Sequence, residues 1–295
     1  MTNLDALRRE WPAWAPWLAV VEETLREAAA PAWDGMVPAL VPDRPKAEPL
    51  LAGTTIFLDA AVVRPWIERL AAVAAAGGTA GAADLAAGLA QPPRVLALFA
   101  ASVSQDHRGM ETVSAAGDAG RAAFFQALAA LVPVPFLQAC RRRWAGSVPA
   151  RWKESYCPVC GAWPAFVEVC ETERSRQFRC GRCGGAWAAE PLHCPFCGTR
   201  DHKLLAALIP DSPRGIRPQP DSPQPASHGS IDACRHCLGY VKALSTLGPC
   251  APDAVMLEDL GSVDLDVAAL AEGYRRPAGA GVSLDVTLAA AGGTA

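Results

Sequence analysis

No excess of one charge marks this chain: 27 lysines and arginines stand against 30 aspartates and glutamates, a formal net charge of -3 over 295 residues. That balance excludes a strongly basic nucleic-acid coat protein, and 51% apolar residues exclude an intrinsically disordered tail. An apolar run at the start is also missing. Met1 to Trp17 carries charges together with Pro12 and Pro16 where an export signal needs a hydrophobic stretch, and Arg8-Arg9 followed by Glu10-Trp11 is a poor twin-arginine signal. The expectation is a cytoplasmic chain whose thiols stay reduced. There is no convincing nucleophile, glycine-rich phosphate loop or paired acid-base set, so the chain is expected not to be an enzyme and to have no catalytic residue.

Long uncharged runs are scarce, with one exception. Ala122 to Cys140 is 19 residues without a charge, bounded by Arg121 and by Arg141, Arg142 and Arg143, which imitates a membrane span with basic flanks. Gln126 and Gln138 are polar, and Pro133 and Pro135 break the run past its middle, so two short buried helices are expected instead.

Residues 1–150 read as one helical domain, because alanine and leucine recur at three- and four-residue spacing with few β-branched runs. Helices are expected over Leu18 to Ala30, Leu58 to Ala76, where Pro65 would start or kink the helix, and Pro92 to Ser104. Pro31 to Pro49, with five prolines, is expected as a loop. Past residue 150 short segments alternate with cysteine turns, with strand-like pieces at Ala165 to Cys170 and Lys203 to Ile209. Large apolar residues are too few there for a broad core, which points to metal as the organising element. Residues 210–230 form a Pro/Ser-rich insertion, 251–277 regain helical spacing, and 278–295 are expected as a tail. Net charge follows the same division: -1 over residues 1–150, +3 over 151–250 and -5 over 251–295, so the acidic C-terminal helix is expected to pair with the cysteine region.

Eight of the 11 cysteines fall into four CxxC pairs: Cys157/Cys160, Cys180/Cys183, Cys194/Cys197 and Cys234/Cys237. A tetrathiolate site needs four sulfurs about 2.3 Å from one ion, and each CxxC turn supplies two. Gly161, Gly184 and Gly198 follow the second cysteine of three pairs and let the backbone turn its amides toward sulfur. The fourth pair has Leu238 there. Nineteen residues separate Cys160 from Cys180; removing the insertion leaves about fifteen between Cys197 and Cys234, so consecutive pairing gives two ribbon-like sites. These define modules over 151–190 and 191–250, a tandem repeat of one unit. Pairing the first turn with the third and the second with the fourth is the alternative the spacing leaves open. Sulfur tetrahedra suit zinc and iron alike.

Other features have plainer readings. Cys140, Cys170 and Cys250 are expected as buried small hydrophobes, and His193 and His236 as neighbours of the ligands. Arg174, Arg176, Arg179 and Arg182 around Phe178 would suit a nucleic-acid strand, but a solvated face is the favoured reading and no nucleic-acid partner is expected. Asp106-His107 reads as surface charge or a helix end, and Trp11, Trp14 and Trp17 as core in preference to a docking stripe.

Five motifs in order, CPVCG at 157–161, FRCGRCGGAW at 178–187, CPFCG at 194–198, DACRHCLGYVK at 232–242 and LEDLGSVDLDVAALAEGYRR at 257–276, resemble the FdhE family of formate dehydrogenase accessory proteins. The resemblance covers about residues 155–277 well and the helical half in outline. Ala186 departs from it, standing where the family has an acidic residue, and so does the Pro/Ser insertion. It implies a multidomain α plus small β fold, a helical N-terminal domain followed by two tandem rubredoxin-like or zinc-ribbon-like modules. It implies also that the eight paired cysteines hold two ferric ions, with zinc the alternative. The partner it implies is the catalytic subunit of formate dehydrogenase, in whose maturation or activation the family acts; a second copy of the chain is a further candidate partner.

Overall fold

The computed structural model describes residues 3–78, 92–114, 119–172, 175–209 and 229–290. Arg174 and residues 210–228 of the Pro/Ser insertion lie outside them. The chain divides into two compact units. One comprises Leu4–Ala150, Pro158–Gly161 and Val282–Ala295; the other comprises Met1–Asn3, Arg151–Cys157 and Ala162–Gly281.

The first unit is helical. Its described helices are α1 (Leu4–Glu10), α2 (Ala15–Ala28), α3 (Ala60–Ala76), α4 (Pro92–Ser104), α5 (His107–Ser114), α6 (Ala119–Leu131) and α7 (Val134–Arg143). Asp59 caps α3 by accepting from the Ala61 amide at 2.8 Å, and Pro65 lies inside that helix, not at its start. The apolar stripe of α2 packs on α3 and α7. Among the fully buried rings Trp33 stacks on Phe99 at a centroid distance of 6.1 Å, and Phe99 meets Phe136 edge-on at 5.8 Å. The fully buried Trp66 places its indole N–H on the Val132 carbonyl at 2.9 Å. Trp11 and Trp14 stack at 4.9 Å, and with Trp17 they are half-buried, so this stripe is neither full core nor a bare surface.

The 19-residue uncharged run becomes α6 and α7, broken at Val132-Pro133 as the prolines predict. By length and composition Phe124–Arg143 could cross a membrane, but 72% of its apolar window is buried within the protein. The stretch expected as a tail is not irregular throughout: β8 (Thr287–Ala290) pairs in parallel with β1 (Thr55–Leu58), and Leu284 is buried. A four-residue strand is too short to announce itself without its partner.

The second unit is built on one six-stranded sheet of β2 (Phe166–Cys170), β3 (Ser175–Arg179), β4 (Ala186–Ala188), β5 (Leu205–Leu208), β6 (Gly229–Cys234) and β7 (Tyr240–Thr246), in the order β4-β3-β2-β7-β6-β5. Each module repeats the same plan, a cysteine turn, two antiparallel strands, a second cysteine turn and a third strand. The modules then fuse, because β2 of the first pairs in parallel with β7 of the second, Phe166 opposite Lys242 through Cys170 opposite Thr246. Fusion answers the shortage of apolar residues. One shared core draws Phe166 from the first module, Ile231, Ala233, Tyr240 and Leu244 from the second, and Val255, Leu265 and Ala269 from the C-terminal helices. Those helices are two, α8 (Val255–Gly261) and α9 (Val263–Ala271), where the spacing suggested one. They part at Ser262, whose buried hydroxyl donates to the Glu258 carbonyl at 2.8 Å, and such back-bonding competes with the helix ladder.

Candidate metal centres

The four cysteine turns share one backbone design. In each, the amide of the first cysteine donates to the carbonyl five residues on: Cys157 to Ala162 at 2.8 Å, and Cys180 to Gly185, Cys194 to Thr199 and Cys234 to Gly239 at 2.9 Å. The residue before that acceptor must be left-handed. Gly161, Gly184 and Gly198 have φ of 69°, 73° and 75°, and Leu238 adopts the same conformation at 58°. A leucine there carries a steric penalty that glycine lacks. Leu238→Gly is therefore expected to raise stability, by about 0.5–1 kcal/mol after the extra freedom of the unfolded glycine is counted. Thermal unfolding of the metal-loaded variant checks the sign; a lowered midpoint would refute it.

The turns meet in consecutive pairs. Cys157, Cys160, Cys180 and Cys183 form one group and Cys194, Cys197, Cys234 and Cys237 the other, with sulfurs all within 4.8 Å of one another in each. The interleaved alternative is thereby overturned. Metal–sulfur bonds of about 2.3 Å in a tetrahedron place sulfurs about 3.8 Å apart. The Cys157 and Cys183 sulfurs lie 3.5 Å apart, and the pairs Cys194/Cys237 and Cys197/Cys234 each lie 3.7 Å apart. Amides are aimed at sulfur as a thiolate site requires, from Cys183 to Cys180 at 3.5 Å, Gly185 to Cys183 at 3.4 Å and Gly239 to Cys237 at 3.4 Å. Spacing, donor chemistry and amide orientation all fit a four-coordinate soft-ligand cation in each group. Such a cation would tie two turns together and would leave no open position for a substrate.

Within the second group the thiols differ. Burial pushes the Cys194 thiol well above its ordinary value and raises Cys237 as well. Burial acts the same way on Cys234, but the backbone amides of Cys237 and His236 outweigh it and hold that thiol below its ordinary value. A cation entering such a group displaces protons. His193 is half-buried and His236 exposed, and neither ring joins a cluster among the described residues. Cys140, Cys170 and Cys250 are buried outside both, and burial lifts the Cys250 thiol to about 11.

Two arginines near the second turn, Arg176 and Arg179, have carboxylate partners within the fold. Arg176 pairs with Asp232 at 2.5 Å. Arg179, 3% exposed, reaches Glu168 at 3.1 Å and the Cys250 carbonyl at 2.7 Å, while Glu168 also accepts from Thr246 and the Cys250 amide. Phe178 is buried against Trp187. Arginine spacing alone does not reveal that Glu168 lies opposite.

A second polar cluster explains the last two motifs. Lys242, fully buried on β7, lies 2.7 Å from Asp259 and 2.9 Å from Asp266, carboxylates of α8 and α9, and donates to the Asp259 carbonyl at 2.6 Å. Arg276 meets both carboxylates at 2.9 Å and lies over the Tyr240 ring, and the Tyr240 hydroxyl donates to Asp266 at 2.7 Å. Burial acts to raise the Asp259 carboxyl, but Lys242 and Arg276 hold it below its ordinary value. Burial and the Asp266 bond lift the Tyr240 phenol to about 12. The acidic helices thus pair with the cysteine region as the charge division predicts, though the partners themselves were not legible as such.

No family model matches the chain. It is 30% identical over 129 residues to a protein of Aquifex aeolicus (strain VF5) named Protein FdhE homolog. That stretch is 42% of this chain, and it spans only 40% of the relative's length. Its fold is similar to that in the crystal structure of the FdhE protein from Pseudomonas aeruginosa, with a TM-score of 0.52 and 19% identity, over 92% of this chain and 90% of that one. The chain is FdhE-like in sequence over that stretch and FdhE-like in fold over nearly its whole length, so the resemblance to the FdhE family holds.

Proposed function

We propose that this chain is a cytoplasmic accessory protein for the maturation or activation of formate dehydrogenase, binding that enzyme's catalytic subunit and catalysing no reaction itself. Its two tetrathiolate groups each hold one ferric ion as in rubredoxin, with Cys157, Cys160, Cys180 and Cys183 as one ligand set and Cys194, Cys197, Cys234 and Cys237 as the other. The observation that carries the reading is the pair of four-sulfur groups, set by repeated turns in an FdhE-like fold. Iron would supply a one-electron couple at each centre, whereas zinc would make both purely structural. Two of the arginines that could have gripped a nucleic acid, Arg176 and Arg179, are engaged with Asp232 and Glu168, which supports a protein partner over a nucleic-acid strand.

Two measurements test this. Protein purified without oxygen is expected to carry two iron atoms per chain and a visible absorption that dithionite bleaches; a colourless chain with two zinc atoms would replace iron by zinc. The tagged chain is expected to retain the formate dehydrogenase catalytic subunit in a pull-down, and failure to do so at micromolar concentrations of both would remove the accessory role.

A further inference from the structure

The two groups differ in access. All four sulfurs of the first belong to residues with no solvent exposure. In the second, Cys194 and Cys234 are 3% and 1% exposed, but Cys197 is exposed and Cys237 half-buried. The turns differ in the same sense. A side chain at Gly161 would collide with Val282 at 2.6 Å, and one at Gly184 with the Pro252 carbonyl, whereas a Cβ at Gly198 would meet nothing within 4 Å. The second group is also bordered by a cleft of about 230 Å³, where Cys194, Cys234, Phe196 and Gly239 meet the Leu205–Ala207 edge of the sheet. Gly239 keeps that corner open only because a Cβ there would strike the Phe196 ring at 2.7 Å.

We propose that the centres divide their roles. The Cys157/Cys160/Cys180/Cys183 centre is structural and inert, and the Cys194/Cys197/Cys234/Cys237 centre exchanges ligands with soft donors from solution, a thiolate or an aromatic nitrogen chelator. Exchange begins at Cys197: its metal–sulfur bond breaks, a bond to the incoming donor forms, and the released thiolate takes a proton from solvent, with no change of oxidation state. The reason is steric. An incoming donor must reach the metal's coordination shell, and only the second shell includes an exposed cysteine, Cys197. The inference rests on both groups holding metal.

The zinc-loaded full chain, mixed with excess 4-(2-pyridylazo)resorcinol, is expected to release one equivalent quickly and a second at least about tenfold more slowly. Pulses of iodoacetamide during the fast phase, read by peptide mass spectrometry, are expected to modify Cys197 and Cys237 first while Cys157, Cys160, Cys180 and Cys183 stay unmodified. Cys197→Ser is expected to speed or abolish the fast equivalent and leave the slow one unchanged. Release of both equivalents in one phase, or early modification of the first four cysteines, overturns the division of roles. A starting content below two equivalents overturns the two-centre reading, and this inference with it.

Discussion

Stripping metal from the chain is expected to unfold the sheet unit cooperatively, not merely to loosen its cysteine turns. The first centre brings four buried sulfurs within 4.8 Å of one another, an arrangement that without a cation leaves either repelling thiolates or thiols short of partners. Structural tetrathiolate sites contribute on the order of 10–16 kcal/mol to folding, as much as the whole stability of an ordinary domain at about 5–15 kcal/mol. Because β2 and β7 join the modules into one sheet over one core, loss of both centres, or of the buried first one alone, spreads across six strands. The expected readout is loss of the near-ultraviolet circular dichroism of Trp163, which meets Phe196 edge-on at 5.3 Å, and of Trp187, packed on Phe178. Cys180→Ser should give the same result with metal present. A metal-free chain that keeps its near-ultraviolet spectrum and a cooperative melt would refute the claim that metal organises this unit.

Replacing Lys242 by alanine is expected to be the most damaging change away from the cysteines, by about 3–5 kcal/mol, because it empties the space of a fully buried stem and leaves the half-buried Asp259 and Asp266 facing each other with Arg276 alone to balance them. The cost comes from the stranded carboxylates more than from the lost ion pairs. Lys242→Met keeps the apolar stem and is expected to lose nearly as much, while Lys242→Met combined with Asp266→Asn should recover a large part of it. Urea midpoints of the metal-loaded proteins measure all three. If Lys242→Met is as stable as the parent, the cluster does not hold α8 and α9 to the sheet.

The cysteine turns were the most legible part of the molecule. CxxC spacing is local chemistry, four turns each encoded within six residues, and the structure repeats them with one shared hydrogen bond and one shared left-handed position. Gly161, Gly184 and Gly198 announce that position, while Leu238 conceals it, since a leucine is not read as a left-handed residue. Helix periodicity likewise located α3 and α4, and the prolines located the break between α6 and α7. The break at Ser262 was harder, because leucine spacing continues through it and only the serine hydroxyl reveals the interruption.

By itself the sequence determined which eight cysteines act in pairs, that the first half is helical, and that an acidic C-terminal stretch answers a mildly basic middle. These depend on nearest neighbours, on periodicity or on summed charge, and all three can be counted along a chain. Tertiary structure alone decided that the turns meet consecutively and that two modules share one parallel-joined sheet. It alone decided that Arg179 and Lys242 lie buried against Glu168, Asp259 and Asp266, and that one sulfur group is sealed while the other reaches the surface. Each of those depends on which distant segments come to share a core, and burial, unlike spacing, belongs to the folded chain and not to any stretch of it.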